Sequence, residues 1–389
     1  MTITERLKSY EPLWENWYFD GYLSSGASGT VYKFKQNRFG KDVFSAVKVI
    51  SLSCDNQLNL HKRKSFMDDI RKRAESEIEN MYLLNDCPHI VHCNNHAIKD
   101  VTNASGDVVA VDILIQMDLY TCLVNYLAEY EELYENEVIK LAEQIGLALK
   151  AAHNRGIIHR DIKPSNIFIN DNGDFLLGDL GVSKRFNADC FLTKTGTEPY
   201  IAPEIWKGDG TNAYTTTADI YSLGIVLYML MNDNYLPLVD ENSSWSETSK
   251  AIIDRIMGKD FEAPRHGCEE FKKVIMKSCE YDTTKRYLDI NDFLADLKAA
   301  HASFTNKLNS WEIREDGTLI VNTFIDDNYK EYISDVSRLV ISEGIKEIPQ
   351  NAFKGFQFKE AQLPYSLEVI DSGAFEMCKT LTILYFSLM

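Results

Sequence analysis

The chain has 389 residues, 45% of them hydrophobic and 11% aromatic, which provides a sizeable core for two or three domains and excludes a disordered polypeptide. A formal net charge of −17 excludes the basic surface that a nucleic-acid or anionic-membrane binder needs. Eight cysteines lie scattered without a C-x-x-C pair, which argues against a zinc site or a disulfide framework and fits reduced thiols in a cytoplasm.

Residues 1–16 read as an N-terminal extension. Its start lacks the apolar run of a signal peptide, and no window approaches the roughly 18 apolar residues of a spanning helix, so a soluble chain is expected. Residues 14–50 read as strands. Within them, Ser24-Ser25-Gly26-Ala27-Ser28-Gly29-Thr30-Val31 is a Gly-rich turn whose backbone can approach phosphate oxygens, with an ordinary hairpin as the alternative. Ala46-Val47-Lys48-Val49-Ile50 sets one lysine inside an apolar strand, and a buried cation needs an anion. A helix is expected over about 64–85, with Ile78, Met81, Tyr82 and a later Leu on one face. The basic residues 62–64 and 71–73 read as a solvated face balanced by nearby acids, or else as a dock for something acidic. Residues 113–120 form an apolar strand leaving a core, and 138–154 an amphipathic helix stopped at Gly156.

The stretch 157–181 carries the chemistry. Asp161 is followed by a cation two residues on (Lys163), an amide five residues on (Asn166) and a second acid, Asp179. Between them, two short apolar runs surround Asn172-Gly173, which reads as a β-hairpin rather than a Ca²⁺ loop. Such a hairpin returns Asn166 and Asp179 to one edge. One carboxylate could then orient a hydroxyl while the amide and the other carboxylate hold Mg²⁺ on the phosphates of a nucleotide.

The ordered set of Gly26-x-x-Gly29-x-Val31, Ala46-Val47-Lys48, His159-Arg160-Asp161-Ile162-Lys163-Pro164-Ser165-Asn166, Asp179-Leu180-Gly181 and Ala202-Pro203-Glu204 resembles a eukaryotic-type protein kinase over residues 17–300. The resemblance implies an α+β, two-lobed kinase fold, with a small β-rich lobe at 17–117 and a large helical lobe at 121–300. It implies ATP and Mg²⁺ as cofactors, proteins as substrates, Asp161 as the base, and Lys163 and Lys48 as charge stabilisers. Asn166 and Asp179 become the metal ligands, and Glu77 the partner of Lys48, with Glu75 and Glu79 left open. The nucleotide pocket falls to Leu23, Gly26, Gly29, Val31, Ala46, Lys48, Met117, the backbone of Asp118 and Tyr120, and Phe168. Arg160 would face a phosphorylated loop, with Thr193 and Thr195 as candidate phosphosites, which allows a homodimer for trans-autophosphorylation. Glu204 would pair with Arg286. Lys163 with Thr197 points to Ser/Thr specificity. Ser24 replaces the first glycine of the family's loop and Leu180 its phenylalanine. The runner-up function is a pseudokinase scaffold that binds partners without phosphoryl transfer.

After a linker at 301–310, residues 311–389 repeat. Ile341 and Leu363, Ile348 and Ile370, and Phe353 and Phe375 are each spaced by 22 residues, with Tyr385 again 22 beyond Leu363. This period means a leucine-rich-repeat solenoid of about two and a half units. It resembles the bacterial surface-antigen type and implies either a protein-binding face or a packing cap.

Overall fold

The computed structural model describes residues 2–386 except 27–28, 54–59, 131–132, 180–198, 207–214, 309–310, 315, 323–329, 331–335 and 343–344; at 60–63, 77 and 303–308 only the backbone is described. The chain divides into two compact units, 1–297 and 298–389.

The first unit opens with helix α1 (Ile3–Ser9), whose start is closed by a capping box between Thr2 and Glu5. A five-stranded antiparallel sheet follows, in the order β1-β2-β3-β5-β4. Its strands are β1 (Tyr18–Gly26), β2 (Gly29–Arg38), β3 (Lys41–Ser53), β4 (Asn95–Thr102) and β5 (Val108–Met117), with helix α2 (Leu60–Leu83) between β3 and β4. Residues 46–50 of β3 are buried at every position because both faces of the sheet are covered. On one face Ile50, Val111, Ile113 and Ile115 meet Met67, Ile70, Ala74, Ile78 and Met81 of α2. On the other, Val47, Val49 and Leu114 meet Leu7, Leu13 and Trp17. The residues before the sheet are therefore part of its core. Tyr82 departs from the expected apolar face: it is exposed and its hydroxyl meets His96 Nδ1 at 3.2 Å, while Leu84 is buried. Two of the basic residues of α2 are paired with acids, Arg71 with Asp68 and Asp100, and Arg73 with Asp69, while Lys64 and Lys72 are exposed.

The larger lobe holds β6 (Thr121–Cys122), helices α3 (Leu123–Tyr130) and α4 (Glu135–Asn154), and the hairpin β7 (Ile167–Ile169) and β8 (Phe175–Leu177). The hairpin turn is built as the sequence implies: Asn170 Oδ1 accepts from the amides of Asn172 and Asp174, and Gly173 takes φ +73°. Helices α5 (Pro203–Trp206), α6 (Thr216–Leu230), α7 (Trp245–Ile256), α8 (Glu269–Ser278) and α9 (Ile290–Leu308) complete it. From Ala218 to Leu230, α6 is buried at every position but Ser222, so it is the central helix. A Cβ on Gly224 would lie 2.6 Å from that of Ser278, and its absence lets α6 and α8 cross closely.

The second unit is a sheet in the order β9-β10-β11-β13-β15. It comprises β9 (Trp311–Ile313), β10 (Thr318–Val321), β11 (Arg338–Ile341), β13 (Glu360–Leu363) and β15 (Ile383–Phe386), with β12 (Glu347–Ile348) paired to β14 (Val369–Ile370). All pairs are parallel except β9 with β10. Leu339, Ile341, Ala361 and Leu363 point into a core closed by Phe353, Phe356 and Phe358, with the Phe353 and Phe375 rings stacked 5.5 Å apart. The 22-residue spacing holds from β11 to β13, but Leu363 pairs with Phe386, not Tyr385. One extra residue lies between Phe375 and β15, and it shifts the third unit by one position. Tyr385 consequently meets Arg338 and Gln362 through its hydroxyl, at 2.7 and 3.3 Å.

Candidate active site

A continuous chain of contacts runs from β3 to the loop before β7. Lys48, 5% exposed, sets its Nζ against Asp179 Oδ1 just beyond β8, so the anion its burial requires comes from the other lobe. The adjacent Gly178 amide donates to the Asn166 carbonyl at 2.9 Å, extending the β7–β8 ladder in which Ile167 faces Leu177. Asn166 Nδ2 donates to Asp161 O at 2.7 Å and Oδ2 at 3.1 Å. Lys163 Nζ lies 3.0 Å from the same Oδ2. The hairpin thus returns Asn166 and Asp179 to one edge, next to Asp161 and Lys163.

Two residues of the site have left-handed backbone. Arg160 and Asp179 take φ of +69° and +64°, a region that costs a non-glycine residue about 1–2 kcal/mol. What holds the strained loop is Asp219, the fully buried acid at the start of α6. Its carboxylate accepts from the backbone amides of His159 and Arg160, each at 2.8 Å, and meets His153 Nε2 at 2.9 Å. The buried His159 ring then reaches Gly178 O at 2.8 Å, tying the loop to the residue before Asp179. Neither Asp219 nor His159 is a site residue on sequence grounds. The available signal is one acid at the head of a helix otherwise apolar through Leu230.

The expected nucleotide residues lie along the sheet and its exit. Gly29 has φ +131°, and a Cβ there would fall 2.7 Å from Val49 O, so only glycine fits. Gly26, its pairing partner, has open space around it. Val31 faces Lys48 and Ala46 faces Met117 in the strand registers. Leu23 is exposed on β1 and Met117 is half-buried at the end of β5. The Asp118 carboxylate accepts from Asn94 Nδ2 at 2.8 Å and the Tyr120 hydroxyl at 3.1 Å, and burial, then Asp118, pushes Tyr120 up to about 12. Phe168 packs on residue 178, where any Cβ would lie 2.6 Å from its ring.

The Glu77 side chain and residues 180–198, with Leu180, Thr193, Thr195 and Thr197, lie outside the described residues. Glu75 and Glu79 are both exposed on α2. The buried Arg286 forks onto Glu204 at 2.8 and 3.3 Å.

Residues 18–295 match the family model described as the protein kinase domain, and residues 323–388 match that of the BspA type leucine rich repeat region. The chain is 30% identical to CBL-interacting serine/threonine-protein kinase 5 of Arabidopsis thaliana over 68% of its own length and 54% of the relative's. It is also 30% identical to CBL-interacting serine/threonine-protein kinase 16 of the same plant, over 62% and 49%. With the rhodopsin kinase of Rattus norvegicus it shares 25% identity over 94% and 61%. The chain spans about half the length of the plant relatives it matches. A family match through both lobes, over the segment that contains every contact from Lys48 to Lys163, makes the chain a member of the protein kinase family, with BspA-type leucine-rich repeats behind it.

Proposed function

We propose that the protein is a Ser/Thr protein kinase that transfers the γ-phosphoryl of Mg-ATP to protein hydroxyls. The observation that carries this reading is the pair of contact series Lys48–Asp179 and Asn166–Asp161–Lys163, joined by the Gly178–Asn166 backbone hydrogen bond. The kinase domain is taken as 17–300 and the repeats as 311–389, the latter offering a face to protein partners. The Ser/Thr class follows Lys163 and the naming of the plant relatives.

The donor set fits a hard cation, since Asp179 supplies a carboxylate and Asn166 an amide oxygen whose Nδ2 is committed to Asp161. When bound, the metal neutralises charge on the phosphates. Asp161 orients the substrate hydroxyl and accepts its proton. Lys163, held on the Asp161 carboxylate, compensates charge developing on the transferred group. Lys48 is placed to exchange its contact with Asp179 for the phosphates. Position 77 shares the face of α2 that carries the buried Ala74 and Met81, whereas 75 and 79 face solvent, which favours Glu77 as the carboxylate that would hold Lys48. Gly29 keeps the β1–β2 turn close to β3, and the backbone at 118–120 would meet the adenine edge.

The test is transfer of labelled γ-phosphate from Mg-ATP to casein and to the chain itself, mapped by mass spectrometry, beside Asp161→Asn and Asp179→Asn. The expected result is incorporation by the parent and a loss of about 10²–10⁴-fold in each variant. Intact ATP binding with no incorporation by the parent would refute transfer and leave a nucleotide-binding scaffold.

A further inference from the structure

The buried side of α7 carries a guanidinium. Arg255 is 2% exposed; its Nη2 donates to Pro199 O at 2.6 Å, and its Nη1 to the Tyr221 hydroxyl and, at 3.5 Å, to Ile201 O. Its carbon lies 5.4 Å from the centre of the Tyr221 ring, on which Arg286 also packs, at 4.6 Å. Arg286 has the Glu204 carboxylate, whereas among the described residues Arg255 forms no ion pair. Burying a guanidinium is costly unless its donors are used, and the described acceptors of Arg255 are two backbone carbonyls and a tyrosine hydroxyl.

It holds the segment that follows residue 198. Pro199 O and Ile201 O are bound by Arg255, and Tyr200 O accepts from Ser222 Oγ at 2.9 Å. Three successive carbonyls are thereby drawn towards α6 and α7, which fixes the direction of every peptide unit between them. The same residues form one side of a cavity of about 110 Å³ whose other side is Arg160, Asp161 and Lys163. This wall therefore faces Asp161 across the cavity.

We propose that Arg255 is a positioning residue for the protein substrate, setting the wall at 199–201 so that a substrate segment lies correctly beside Asp161. The proposal rests on Asp161 being the base. Among the groups that face Arg255 from α6 is the Tyr221 hydroxyl, and Tyr221→Phe removes that acceptor alone.

The experiment measures steady-state transfer to casein with Arg255→Met, Arg255→Lys and Tyr221→Phe in the full chain, varying casein and ATP separately, with thermal denaturation alongside. The expected result is a split: KM for casein rises roughly tenfold in Arg255→Met, KM for ATP moves less than twofold, and Arg255→Lys and Tyr221→Phe fall between parent and Met. Equal rises in both KM values, or a loss of thermal stability with both KM values unchanged, would make Arg255 a folding residue and overturn the proposal. If Arg255→Met does not fold, the casein KM of the two milder variants decides by the same split. A parent that transfers nothing would overturn the kinase reading itself, a result distinct from a parent that works and an Arg255→Met that matches it.

Discussion

Replacement of Arg6 should cost far more stability than its place near the start of the chain implies. Asp112 is fully buried in the middle of β5 and accepts from Arg6 Nε at 2.7 Å, Arg6 Nη2 at 2.9 Å and the Tyr10 hydroxyl at 3.0 Å. Arg6 Nη2 also reaches Ser51 Oγ at 2.9 Å, and the Asp112 carboxylate holds the Arg6 guanidinium above its ordinary value. Arg6→Met leaves a carboxylate inside the sheet with the tyrosine hydroxyl but without its cation, a change that costs about 3–5 kcal/mol when one partner of a buried pair is removed. Asp112→Asn keeps hydrogen-bonding capacity and leaves a guanidinium nearer to solvent, so it should cost only about 1.5–3 kcal/mol. The double variant Arg6→Met with Asp112→Leu replaces both ions by apolar groups and should recover most of the loss. The assay is urea denaturation followed by the fluorescence of Trp14 and Trp17, which sit beside this packing, with thermal midpoints as a second readout at about 2–4 °C per kcal/mol. Additive losses in the double variant, or a loss below about 1 kcal/mol for Arg6→Met, would refute the view that this pair fastens α1 to the sheet.

Asp219→Asn should lower phosphoryl transfer at least tenfold while ATP affinity changes little, because the strained 159–160 backbone loses its charged acceptor; calorimetric ATP binding beside casein phosphorylation checks the split. Gly29→Ala should destabilise the small lobe by about 1–3 kcal/mol and weaken ATP binding, whereas Gly26→Ala, with open space around it, should be tolerated; thermal melts with and without ATP compare the two. At alkaline pH, Tyr200, Tyr221 and Tyr228, each pushed up to about 12 chiefly by burial, keep their protons where the unfolded chain, at its ordinary value of 10.0, gives them up. Their contribution to stability is therefore full below about pH 10 and lost as pH rises from about 10 to about 12. Urea midpoints at pH 8, 10 and 11 should fall in that order, and Tyr221→Phe should flatten the fall.

The sequence made visible what depends on short spacing. The acid, cation and amide at 161, 163 and 166 are set by one loop, and the Asn-Gly turn at 172–173 announces the hairpin that brings Asp179 back. What it hid depends on partners brought together from far along the chain. Asp219 controls the loop from 60 residues away, through backbone amides that no side-chain pattern records. Lys48 visibly needed an anion, yet a period-two strand cannot say which distant acid meets it, and Asp179, 131 residues on, does. Asp112 in Val108–Met117 and Arg255 in α7 were anomalies of the same sort, one acid in an apolar strand and one cation whose helical position reads as a polar face. In the repeats the period predicted the core, but a single inserted residue after Phe375 changed which aromatic pairs with Leu363, because strand phase is lost entirely by a shift of one. The common cause is that buried charge is chosen by its distant partner. A lone ionic residue within an apolar run therefore says that a partner exists, while the fold alone says which residue that is.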